Sequence, residues 1–222
     1  MAVNRQVSAS SRAYARPQRL FGGGTTGNER LTGATGGVLI VLLAIIGVTI
    51  IRLGPLLWVH LFVGMLLIGP VSLKLASTGY RFVLYYTANP RYKRKGPPEL
   101  PLRLLAPIVV LTTVVVFASG VALLFVGPSS RDTLLPVHKI SFIAWVAFMA
   151  VHVLAHLPSM LNSLKADYVR PARRDSAGGW PTDANGRAGR VLSLASALVL
   201  GLVLAILVIP EFGAWLSAQH HH

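Results

Sequence analysis

The stretch PVHKISFIAWVAFMAVHVLAHLP, residues 136–158, carries a single formal charge, Lys139, and is long enough as a helix to cross a hydrocarbon core of about 30 Å. It also holds His138, Trp145, His152 and His156. At about 100° per residue, the fourteen-residue step from His138 to His152 leaves the two rings within about 40° of each other, and the step to His156 closes to nearly zero. The three imidazoles therefore share one face. Helical rise separates His138 from His152 by about 21 Å, which puts one near each membrane surface, the spacing of two stacked haems.

The rest of the chain agrees with a membrane setting. Of 222 residues 53% are hydrophobic and 13% charged, and the mean hydropathy is +0.60, values of an integral membrane protein. A net charge of +14 on a soluble fold would suggest nucleic acid as partner, but here it fits loops on the cytoplasmic face, and nucleic acid is excluded. Without cysteine there is no disulfide, iron–sulfur cluster, cysteine zinc site or c-type haem attachment. Any haem must be held by histidine or a less usual ligand.

In chain order, residues 1–34 read as a disordered basic cytoplasmic tail with Arg5, Arg12, Arg16, Arg19 and Arg30. The first apolar run begins too late for a signal-peptide core. Gly22-Gly23-Gly24 and Gly36-Gly37 lack the ending of a phosphate loop and read as flexible chain. The first span is expected over residues 35–53, followed by a turn at Gly54-Pro55. The second runs from residue 53 to Tyr86, with His60 in its second turn, a kink at Gly69-Pro70 and an aromatic belt of Tyr80, Tyr85 and Tyr86. A third span covers residues 102–126, where Gly120 admits a close neighbour. A basic loop over 161–190 leads to a fifth span at 191–210, whose Ala197, Gly201 and Ala205 form a small-residue packing stripe. Residues 211–222 read as a tail ending in a tag remnant, His220-His221-His222. The expected fold is thus all-α and integral to the membrane. A haem-binding four-helix bundle occupies residues 35–160, with a peripheral fifth helix.

Lysine and arginine fix the orientation. Five lie in the N-terminal tail, five around residues 91–103 and six between Lys165 and Arg190, all on one side of a five-span path; the other side has only Arg52, Arg131 and Lys139. The positive-inside rule places the N-terminus in the cytoplasm and the C-terminus outside the inner membrane.

His60 and His138 then fall near the outer ends of two helices that run in the same direction. Two imidazoles on opposite sides of an iron porphyrin give six-coordinate low-spin haem, which changes redox state with little reorganisation. Gly64, one turn below His60, leaves room for the porphyrin edge. Lys139, Arg131 and Arg52 are the cations placed to hold its propionates, Lys139 best of all. Each histidine alone also reads as an interfacial polar group, and Trp145, midway between the levels, reads as packing.

At the inner level His152 and His156 stand one turn apart, with no carboxylate or thiolate nearby to complete a zinc or copper site. Fourteen residues after His60, where a second helix would place its own inner histidine, stands Lys74. The inner level accordingly suits a second haem on His152 or His156, with Lys74 or an open position opposite, or else a quinone site or proton path.

The combination of His60 on one helix, His138 and His152 fourteen apart on another, and a bundle of four or five helices resembles the membrane cytochromes b of the cytochrome b561 and hydrogenase or formate dehydrogenase type. The resemblance covers about residues 36–158. It implies haem b, one or two, with an iron ligand set of His60, His138 and His152. It also implies a quinone or protein redox partner, electron transfer as the function, and contact with membrane lipid. Lys74 departs from the family pattern, and no oligomeric state is implied. The alternative of another class is a non-redox transporter or assembly factor whose histidines and Lys74 form a proton or ion pathway.

Overall fold

A computed structural model describes residues 24–87, 100–165 and 186–219, which form helices joined by short turns, with no strand among them. The helices are α1 (Gly24–Ile51), α2 (Leu53–Tyr86), α3 (Leu100–Val126), α4 (Arg131–Leu164), α5 (Arg187–Leu207) and α6 (Ile209–Gln219). The first five each contain a window long and apolar enough to cross a membrane. The chain is a multi-pass membrane protein.

Helices α1 to α4 close into a ring. α1 packs broadly on α2 and also on α4, and α4 packs broadly on α3, whereas the contact between α3 and α2 is thin. Along that weak seam runs a groove of about 530 Å³, lined by Ile68, Val71, Leu75, Phe117, Ala118 and Val121 among others. Much of the outer surface is apolar, with Leu104, Leu111, Ile140, Ile143 and Leu154 all exposed, as expected of side chains that face lipid.

α5 lies outside this ring, but its contact with α2 is as broad as any in the molecule. Ala197, Gly201 and Ala205 are all buried there, so the small-residue stripe does pack a helix. A Cβ on Gly69 would fall on the carbonyl oxygen of Ala197, and one on Gly201 on that of Leu66. Two backbones touch at this crossing, which only glycine allows. α2 continues unbroken through Pro70, which is buried beside Gly69.

Several boundaries differ from the sequence reading. α1 begins at Gly24, not near residue 35, because its polar first turns are held by α2. Asn28 Nδ2 donates to Ser77 O at 3.0 Å, Thr32 Oγ1 to Ser77 Oγ at 3.1 Å, and Glu29 pairs with Arg81 at 3.5 Å. Gly36 and Gly37 are therefore helical, packed near Met160 and Leu164 of α4. Gly54 and Pro55 do not form the turn. They lie in the first turn of α2, where proline's missing N–H costs nothing, and Arg52 alone joins α1 to α2. α4 begins at Arg131 and extends to Leu164, absorbing both Pro136 and Pro158.

The expected C-terminal tail is helix α6. Pro210 stands at its second position and Glu211 in its first turn, both favoured at a helix start. Phe212 is 1% exposed among Met65, Leu124, Ala205 and Val208, and Trp215 Nε1 donates to Leu123 O at 3.2 Å. Residues 220–222 and most of the two basic loops lie outside the described residues.

Candidate functional site: two anchored imidazoles across the bundle

α2 and α4 hold His60 and His138 towards the same end of the bundle, His60 in the second turn of α2 and His138 in the second turn of α4. Each is half-buried, and each has its Nδ1 fixed by a different helix.

His60 Nδ1 lies 2.9 Å from Thr49 Oγ1 of α1. That hydroxyl gives its one proton to Ile46 O at 2.7 Å, so towards His60 it can only accept. His138 Nδ1 lies 3.1 Å from the carbonyl oxygen of Val116 on α3, an obligate acceptor. Ser119 Oγ, also 3.1 Å from Nδ1, donates to the same carbonyl. His138 is consequently the Nδ1–H tautomer, as is His60 when Thr49 donates to Ile46 O, and in that state each ring carries its lone pair on Nε2. Among the described residues neither Nε2 has a hydrogen-bond partner. Metal-ligating histidines are oriented by this pattern: one nitrogen donates to a carbonyl or hydroxyl, and the other is presented as a ligand of raised basicity.

Glycine makes room on both sides. A Cβ on Gly120 would sit 3.0 Å from His138 Cε1, so the close neighbour admitted by this glycine is the imidazole itself. A Cβ on Gly64 would meet nothing within 4 Å, leaving open space one turn from His60. Arg52, Arg131 and Lys139 are exposed at the same end of the bundle. Trp145 is buried below this level, with Nε1 donating to Thr113 Oγ1 at 2.9 Å, a packing role that locks α4 to α3.

The other level is built differently. Lys74 turns towards α1, its Nζ donating to Thr32 O at 2.8 Å. The rings of His152 and His156 are 4.7 Å apart between centroids, and neither hydrogen-bonds to a described residue. Their tautomers are unfixed. Among the described residues no group of three or more His, Cys, Asp or Glu side chains could hold a metal ion.

The structure places His60 and His138 at one end of the bundle, as their positions in the sequence suggest, whereas Thr49, Ser119 and the Val116 carbonyl that hold them were missed in the sequence. Thr49 and Ser119 are buried hydroxyls within apolar spans, a signal they share with Thr35 and Thr113 and that does not single them out. No family model, curated protein or solved structure matches this chain.

Proposed function

We propose that this protein is a b-type cytochrome of the cytoplasmic membrane. It carries single electrons between a quinone or partner protein and another redox partner. The observation that carries the reading is the matched anchoring of His60 and His138: on each of two helices an imidazole has its Nδ1 held by a third or a fourth helix and an Nε2 with no hydrogen-bond partner among the described residues. With no carboxylate beside them, His60 and His138 are the residues that would hold a haem iron, and they would leave a bare divalent ion under-coordinated.

Haem b, when bound, supplies a one-electron iron couple. The protein's own residues do the rest. Thr49, Val116 and Ser119 hold the Nδ1 atoms of the two rings, which would keep reorganisation small. Arg52, Arg131 and Lys139 would supply cations for propionates at this end. The seam between α2 and α3 offers a lipid-soluble partner such as quinone an approach from the bilayer. The likeness of the histidine spacing to cytochrome b561-type proteins points the same way, as does the positive-inside orientation with the N-terminus in the cytoplasm.

The test is the pyridine haemochrome of protein purified from haem-sufficient cells. At least one haem b per chain, with low-spin Soret and alpha bands, is expected. Fully folded protein without haem would leave the reading of a transporter or assembly factor with a proton or ion pathway.

A further inference from the structure

The end of the bundle that carries the basic loops holds a second cluster, which the haem reading does not use. Lys74 gives one of its three N–H groups to Thr32 O. Among the described residues no carboxylate pairs with it, and Glu29 is engaged with Arg81 at 3.5 Å. His152 and His156, facing each other at 4.7 Å, offer four ring nitrogens without a described hydrogen bond. α4 brings this face to Lys74: a Cβ on Gly36 would stand 3.7 Å from the sulfur of Met160, one turn past His156. Gly36 keeps the spot open, since a Cβ there would stand 3.3 Å from Lys74 Nζ. The cluster is thus rich in donors and positive charge, and it lacks an anion.

Its depth identifies the kind of anion. Thr32 is twenty residues from the turn at Arg52, Lys74 twenty-one from Leu53 and His152 twenty-one from Arg131, each about 30 to 32 Å of helix from the opposite end. That is the full thickness of the hydrocarbon core, so the cluster sits where phospholipid phosphates begin. His156 is exposed, and Val151 and Leu154 beside it present apolar side chains to the bilayer.

We propose that Lys74, His152 and His156 form a binding site for the phosphate of an anionic phospholipid in the leaflet facing the basic loops. The ammonium is a compact charge for a phosphate oxygen, the two imidazoles donate to the remaining oxygens, and the acyl chains lie along α4. Basic pockets between membrane helices recognise headgroups in this way. The site lies about 21 Å of helix from His138 and is independent of haem at the outer level.

Native mass spectrometry of the full chain, released from detergent and titrated with phosphatidylglycerol or phosphatidylcholine, tests it. Phosphatidylglycerol should bind about five- to tenfold more tightly, the worth of one lysine assisted by two imidazoles. Lys74→Gln, and separately the double change His152→Gln with His156→Gln, should reduce the preference to within about twofold, whereas Lys74→Arg should retain it. His60→Ala, which removes the outer imidazole, should leave the preference unchanged, so haem loss and lipid loss are read separately. Equal binding of the two lipids by the parent protein would overturn the proposal, as would a preference that survives in Lys74→Gln. Displacement of the lipid by inorganic phosphate at comparable concentration would also overturn it, because the site would then serve a free oxyanion.

Discussion

Replacing Thr49 by Val tests the anchoring of His60 with almost no change of shape. Thr49 is 1% exposed, so no water can take over its role, and the methyl that replaces the hydroxyl fills the same space. The change removes the only described acceptor of the His60 Nδ1 proton. A buried donor left without a partner costs about 1 to 3 kcal/mol. The ring can relieve that cost by rotating or by moving its proton to Nε2, and either response withdraws the lone pair. Outer-shell changes of this kind weaken a bound metal group about 10- to 100-fold, or about 1.4 to 2.7 kcal/mol, in agreement with the cost of the orphaned donor. Haem affinity, measured by titrating haem into apoprotein in detergent, should fall by that factor. The midpoint potential should rise, because a less basic imidazole donates less charge to the ferric state. Thr49→Ser should behave as the parent. An unchanged affinity and potential in Thr49→Val would refute the tautomer reasoning even if haem is present.

Gly120→Ala would place a methyl 3.0 Å from His138 Cε1 and 3.4 Å from Nδ1; the ring must shift, so haem content per folded chain should drop severalfold while the helical circular dichroism stays constant. Gly201→Ala would drive a methyl into the Leu66 carbonyl, and separating α5 from α2 should cost about 1 to 3 kcal/mol, seen as a lowered midpoint of thermal unfolding in detergent with the haem spectrum of the remaining folded protein unaltered. A reporter fused after His222 should be active outside the cytoplasmic membrane, and one inserted near Asp175 inside it; the reverse would invert every assignment of side.

What the sequence revealed and what it concealed have physical causes. The five spans follow from hydropathy, since each must satisfy its own backbone in lipid, and both the end of α2 at Tyr86 and that of α3 at Val126 agree with the pattern. Ala197, Gly201 and Ala205 were legible for the same reason: their spacing is that of one helix face. The early start of α1 was not, because its Asn28, Glu29 and Thr32 look like tail composition until Ser77 and Arg81, more than forty residues away, accept or pair with them. α6 escaped notice as eleven residues, too short to span, whose amphipathic face makes sense only against Met65 and Leu124. At the site, histidines announce themselves by being rare in apolar helices. The groups that orient them include a backbone carbonyl, which no sequence distinguishes from its neighbours. Lys74 was legible as an anomaly, but its turn towards Thr32 depends on the α1 extension, which hydropathy does not show.

The most direct measurement of the central claim is the electron paramagnetic resonance spectrum of the oxidised, haem-loaded protein, taken for the parent and for His60→Ala and His138→Ala. A low-spin ferric signal of two-imidazole ligation is expected in the parent, converted to high spin or lost with the haem in both variants. No haem iron in the parent, or a low-spin signal that survives both substitutions unchanged, would contradict it.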